Sequence, residues 1–193
     1  MILFYDTETT GFTTNQPLDH PSQPHLVQLA CLLTSDEGME IACLNTMVHC
    51  PVPVPPQASA IHGIDGRASM TLGMPMKHAL PIFFGFCRKA DTIVAHNNDF
   101  DKKIMEIAFA RHFPDRNPFE DRVQFCTMKA TTDMCKIPKT RGSGYKWPKL
   151  EEVYHCFFNE SFDNAHDAMA DLRATLRVYK EWRRRTFEAL NQS

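Results

Sequence analysis

A mixed α/β sheet with helices on its faces is the fold class that the sequence predicts. Two observations lead there. Short apolar runs of strand length alternate with longer segments of helical periodicity along the 193 residues. The composition, 43% apolar and 23% charged, is that of a globular chain and not of a disordered one.

Residues 1–6 (MILFYD) form an apolar run that turns acidic, as in a buried strand delivering carboxylates at its end. Thr9-Thr10-Gly11 then leaves the strand, and residues 13–24 read as a loop. Residues 25–34 and 40–49 are strands joined by the turn SDEG, giving an antiparallel three-strand start. The run PVPVPP at 51–56 suits only an extended connector. A short helix and turn occupies 57–65 and ends near Gly63. Residues 76–90 form a helix with Pro81 in its early part. Residues 92–96 (TIVAH) are a strand. Ile104, Ile107, Ala108 and Phe109 make 100–112 an amphipathic helix, with Asn98 or Asp99 as its N-cap. A short strand at 123–126, a helix at 149–158 and a long helix at 165–185 complete the order. Residues 113–122 and 136–148 are expected to be mobile loops. A single domain is expected over 1–193, with its core in about 1–180 and a basic helix end at 181–193.

Composition excludes collagen, coiled-coil, transmembrane-bundle and disulfide-miniprotein classes, and it names no function. No stretch approaches the roughly 18 apolar residues of a membrane span. The start MILFYDTE lacks the basic n-region of a signal peptide. The seven cysteines form no CxxC or CxxH pair, so they read as free thiols, mostly small core residues, in a reducing cytoplasm. A cytoplasmic protein without membrane contact is expected.

Charge is distributed unevenly. Residues 1–50 hold six acids and no Lys or Arg. Residues 122–149 carry Arg122, Lys129, Lys136, Lys139, Arg141, Lys146 and Lys149 against Asp133 alone, and a second basic run ends in Arg183-Arg184-Arg185. An acidic pole suits a metal and basic flanks suit phosphate, although each run alone also reads as a solvated face.

Three segments carry chemistry. Side chains two apart on a strand share a face, so Asp6 and Glu8 project together. Adjacent carboxylates repel unless a cation neutralises them, and Mg²⁺ or Mn²⁺ is the natural partner of oxygen ligands. D-x-E pairs are also common on solvated surfaces. In His96-Asn97-Asn98-Asp99-Phe100-Asp101 a strand ends in polar residues and a helix begins, with Asp101 in its first turn. There an acid also complements the helix dipole. In residues 164–171 (NAHDAMAD), His166 and Asp171 lie about 140° apart on a regular helix, whereas Asp167 shares a face with Asp171. The spacing leaves open which acid would bind metal.

DTETTG at 6–11, HNNDFD at 96–101 and HDAMAD at 166–171 resemble, in order and spacing, the three motifs of the DEDDh group of DnaQ-like 3′–5′ exonucleases. The resemblance spans residues 1 to about 180. It implies a ribonuclease H-like five-stranded mixed sheet flanked by helices. By its motif patterns Asp6, Glu8, Asp101 and Asp171 hold two divalent cations, Mg²⁺ with Mn²⁺ as substitute, and His166 is the general base. Thr9 would hold the terminal ribose. Ile61 and His62 would pack on the last nucleotide with Phe100, and His96 and Asn97 would line the substrate site. Ile61 also reads as core and His62 as a turn residue. Lys129, Arg141, Lys146 and Lys149 would track phosphates. Trp147 reads either as a base platform or as a cap of the next helix against the core.

The implied activity releases 5′-mononucleotides from single-stranded DNA 3′ ends. RNA trimming is the nearest alternative, polymerase association a further implied partnership, and an inactive nucleic-acid-binding module the reading from a different class.

Overall fold

The computed structural model describes residues 1–162 and 167–191. Five strands form one sheet in the order β3-β2-β1-β4-β5. The central strand β1 (Ile2–Thr9) pairs antiparallel with β2 (Leu26–Thr34), which pairs antiparallel with β3 (Glu40–Met47). On its other side β1 runs parallel to β4 (Thr92–Ala95), and β4 parallel to β5 (Val123–Cys126). This is the five-stranded mixed sheet the sequence predicts.

Helices α1 (Pro56–His62), α2 (Gly66–Leu72) and α3 (Met76–Lys89) lie between β3 and β4. The helix α4 (Asn98–His112) joins β4 to β5, and α5 (Thr127–Cys135), α6 (Leu150–Phe158) and α7 (Ala168–Asn191) follow. Gly63 ends α1 at φ +72°, a left-handed cap that glycine adopts without strain.

The strand β1 is apolar on both faces as far as Tyr5, because both faces are covered. Leu3, Tyr5, Leu29, Cys31 and Leu33 pack with Leu80, Phe83, Ile104 and Met105 of α3 and α4. Ile2, Phe4, Ala30, Leu32 and Val94 pack with Leu172, Leu176 and Tyr179 of α7. The alternation of β1 thus assigns each side chain to one helical layer. Val153 and Phe157 of α6 close over Ala174 and Val178 on α7.

Several expectations are corrected. The strand β1 extends through Thr9, because its pairing with β2 continues past a register shift between Glu8 and Thr9. Neither α2 nor α5 is expected from the sequence. Asp65 caps α2 by accepting from the Arg67 N–H at 3.1 Å. The α4 cap is Asn97, at φ +64° and without a side-chain hydrogen bond. Asn98 instead is buried, accepting from the Tyr5 hydroxyl at 3.0 Å, and Asp99 pairs with Lys129 at 2.5 Å. Residues 136–148 include a hairpin-like turn bridged between Pro138 and Tyr145. The helix α7 continues to Asn191, so Arg184 and Arg185 are not at its end and pair with Glu181. Of the seven free cysteines only Cys31, Cys50 and Cys87 are buried, so most are not core residues. Among the described residues no helix is long and apolar enough to cross a membrane.

Arg111 of α4 ties down the loop after β1. Its guanidinium donates to the carbonyls of His20, Gln23 and Pro24 at 2.8–3.1 Å. Phe4 is fully buried, with its ring edge-on to Tyr179. Replacing it by Ala is expected to lower stability by about 3–5 kcal/mol in denaturant unfolding.

Candidate active site

Only Ile2, Leu3 and Phe4 of β1 pair with β4. Beyond Phe4 the two parallel strands lose their pairing, and a crevice opens at their carboxyl ends, where α/β sheets place their sites. Asp6 and Glu8 stand on the α7 face of β1, and Thr7 on the α4 face. Asp171, in the first turn of α7, meets the two acids. One carboxylate oxygen from each of Asp6, Glu8 and Asp171 lies within 4.8 Å of the others.

Asp101 comes from the other layer. Its carboxylate is buried and accepts twice from Thr7, from the backbone N–H at 3.1 Å and from the hydroxyl at 2.7 Å. It is not one of the three acids in the tight group, but it is close enough to act on two of them electrostatically. Asp167 is not in the group either. Its carboxylate caps α7, accepting from the N–H groups of Met169 and Ala170 at 3.1 and 3.0 Å. The start of the helix thus separates the two acids, with Asp167 turned to the cap and Asp171 to Asp6 and Glu8. His166 lies outside the described residues.

The electrostatics follow from burial and, for Asp6 and Glu8, from the crowding of like charges. Burial first, then the charges of Asp101, Glu8 and Asp171, holds the Asp6 carboxyl well above the usual carboxylate range. Burial and the charge of Asp171 push Glu8 up to about 8. Burial raises Asp101 to about 7, and the two hydrogen bonds from Thr7 pull partly against it. The charged groups that act most on Asp6 and Glu8 are all acids. A set of hard oxygen donors at this spacing, short of positive charge, fits Mg²⁺ or Mn²⁺.

Two clefts of about 320 Å³ each flank the acids. Thr9, Phe12, Ala58, Ile61, His62 and Phe100 line the one that contains Glu8. Ile61 is 57% exposed, so it is not core. His62 accepts from the Ile64 N–H at 3.1 Å, and its Nε2 is buried toward the Thr9 backbone without a closed hydrogen bond. Thr9 donates its hydroxyl to the Gly11 carbonyl at 2.7 Å, which tightens the turn out of β1. Phe12 is 87% exposed and sits edge-on to Phe100 at 6.3 Å. Sequence reasoning missed Phe12; its signal is an aromatic residue directly after DTETTG.

The second cleft contains Asp171 and is lined by His96, Asn97, Trp147, Pro148 and Lys149, among others. Both ring nitrogens of His96 have protein partners: Thr127 Oγ1 at 2.9 Å and the Pro148 carbonyl at 3.1 Å. The carbonyl only accepts, so Nε2 carries the proton and Nδ1 accepts from Thr127. Burial lowers the pKa of His96 to about 4, so the ring stays neutral. His96 is therefore a tie between strand and loop, with neither nitrogen left for a ligand. Trp147 is 64% exposed and does not cap α6 against the core. Lys129 and Lys146 are engaged by Asp99 and Glu152.

A five-stranded mixed sheet with carboxylates gathered at the end of its central strand defines a class of α/β protein with a candidate acidic site. Within that class, the exonuclease family model matches residues 3–179, and the chain belongs to this family. Over 186 residues it is 27% identical to an uncharacterized exonuclease, CP81, of Escherichia phage 186, covering 91% of this chain and 84% of that protein. The fold is similar to that of E. coli exonuclease I in complex with a dT13 oligonucleotide. The TM-score is 0.76 at 22% identity, over 98% of this chain and 43% of that one. The complex of the same enzyme with dA16 gives a TM-score of 0.74 at 23% identity, over 98% and 42% of the two chains. The chain thus spans less than half the length of those exonuclease I structures.

Two outcomes test this assignment of the acids. Asp167→Ala is expected to cost about 1 kcal/mol of stability through the lost cap while keeping Mn²⁺ binding by calorimetry, and Asp171→Ala to lose that binding. The second test is pH. A carboxyl raised in the folded state contributes stability that is full below its unfolded value and is lost as pH rises through the folded one. In EDTA, wild-type melting temperature should therefore fall relative to Glu8→Gln as pH rises from 4.5 to about 8. Mg²⁺ should narrow the difference at the upper end. A difference that is flat with pH would contradict the raised Glu8 carboxyl.

Proposed function

We propose that the chain is a divalent-cation-dependent 3′–5′ exonuclease of the DEDDh type, releasing 5′-mononucleotides from single-stranded DNA. The observation that carries this reading is the meeting of Asp6, Glu8 and Asp171 oxygens within 4.8 Å beside an apolar cleft. Asp101 completes the acidic set, and the four carboxylates are the residues that would hold two cations. When bound, such ions screen the anionic phosphodiester and ease ionisation of an attacking water.

The chain's own groups do the rest. The terminal nucleoside enters the cleft of Glu8 and Thr9, where Phe12, Ile61 and Phe100 offer apolar contact to any base. Thr7 holds Asp101 in place from behind. His166 accepts the proton of the attacking water, a task suited to an imidazole with an ordinary value near 6.5. As the water oxygen bonds to phosphorus, the phosphorus–oxygen bond to the upstream 3′ oxygen breaks, and that oxygen takes up a proton from solvent and leaves as the 3′ hydroxyl of the shortened strand. The dT13 and dA16 oligonucleotides in the exonuclease I structures support single-stranded DNA as the substrate class.

Digestion of 5′-labelled single-stranded DNA, duplex DNA and RNA with Mg²⁺ tests the proposal. A ladder shortening from the 3′ end, fastest on single-stranded DNA, is expected, and EDTA should abolish it. Preference for RNA would replace the substrate, and internal cuts would overturn the polarity. Asp6→Ala should remove activity, and His166→Ala should slow it by about 10²–10⁴-fold.

A further inference from the structure

The cleft on the Asp171 side is not used by the terminal nucleotide in the reading above. We infer that it receives the nucleoside on the 5′ side of the scissile linkage, with the indole of Trp147 as the stacking platform for its base. The inference rests on that reading, because the terminal nucleoside must occupy the Glu8 cleft for this one to be upstream.

Four observations carry it. The cleft is continuous with the acids, because Asp171 belongs both to its wall and to the group formed with Asp6 and Glu8. A strand that places its last phosphodiester at those acids therefore has one neighbour in each cleft. Trp147 is a large apolar side chain, 64% exposed at the rim, and Met128 and Phe162 add apolar wall. Such a surface suits the face of any base.

The platform is also fixed in place. Nε2 of His96 donates to the carbonyl of Pro148, the residue after Trp147, at 3.1 Å. Lys146, the residue before it, donates its N–H to the Ile137 carbonyl at 2.9 Å, and Lys139 donates to Gly144 at 3.2 Å. The end of β4 and the hairpin-like turn thus clamp the indole's backbone from both sides.

Charge points to the same occupant. Residues 136–149 carry Lys136, Lys139, Arg141, Lys146 and Lys149 and no acid; Lys146 is paired with Glu152, and among the described residues Glu151 is the one further acid in the cleft wall besides Asp171. This basic turn stands beside an acidic site that would otherwise repel a polyanion. It offers the upstream phosphates a favourable path, while the acids hold only the linkage to be cut.

The test compares two substrates. In the p-nitrophenyl ester of thymidine 5′-monophosphate, nitrophenolate replaces the upstream strand, so the terminal nucleoside is present and the upstream base is not. An oligothymidylate has both. Trp147→Ala is expected to raise KM for the oligothymidylate about tenfold while leaving hydrolysis of the ester within about twofold. Trp147→Phe, which keeps an aromatic face, should recover most of the oligothymidylate KM. Equal losses on both substrates, or an unchanged oligothymidylate KM, would overturn the assignment. Wild-type protein that hydrolyses neither substrate would instead overturn the nuclease reading, and this inference with it.

Discussion

Mutual repulsion among crowded carboxylates, Asp101 buried and the other three half-buried, is the constraint around which the molecule is arranged. Asp6, Glu8, Asp101 and Asp171 come from three separate elements, and in the absence of a cation each addition makes the next more costly. The apolar packing must hold them together. It does so in two layers, with α7 pressed on one face of β1 and α3 and α4 on the other. The site is therefore a stored electrostatic debt, and a divalent cation is the natural means of relieving it.

The sheet topology explains how carboxylates from both layers reach one crevice. The strand β1 pairs with β2 along its length but with β4 only over its first half. Where that pairing stops, the first turn of α4 brings Asp101 in from its own side, and Thr7 takes its oxygen. The same gap leaves a cleft on each side of the acids. One lies against the turn out of β1, the other against the segment that His96 ties to the end of β4. A linear polymer has two directions from any linkage, and the site offers space in both.

Much of this was legible in the sequence, and the exceptions have physical causes. Strand alternation alone placed Asp6 and Glu8 on one face. The five strands were evident because their apolar runs are bounded by turn residues. The helices α2 and α5 were not, because GRASMTL and TMKATTDMC are short, polar and rich in poor helix formers. Their helicity depends on a cap at Asp65 and on packing of Thr127, Met128 and Thr131, which no local pattern announces. Periodicity grouped Asp167 with Asp171, but Asp167 precedes the helix and caps it, so the two carboxylates do different work. The partners of His96 were hidden for another reason: Thr127 and Pro148 are 31 and 52 positions away, beyond any local rule.

The alternation of β1 has a consequence for how this chain can vary. Asp6, Thr7 and Glu8 face two different helical layers in turn, so inserting or deleting one residue ahead of them would rotate every later side chain to the opposite layer. Thr7 would then stand on the face of Asp171, and the carboxylates would turn toward the apolar layer of α3 and α4. Length changes are thus confined to the connections, and within this strand the number of residues is as tightly specified as their identity.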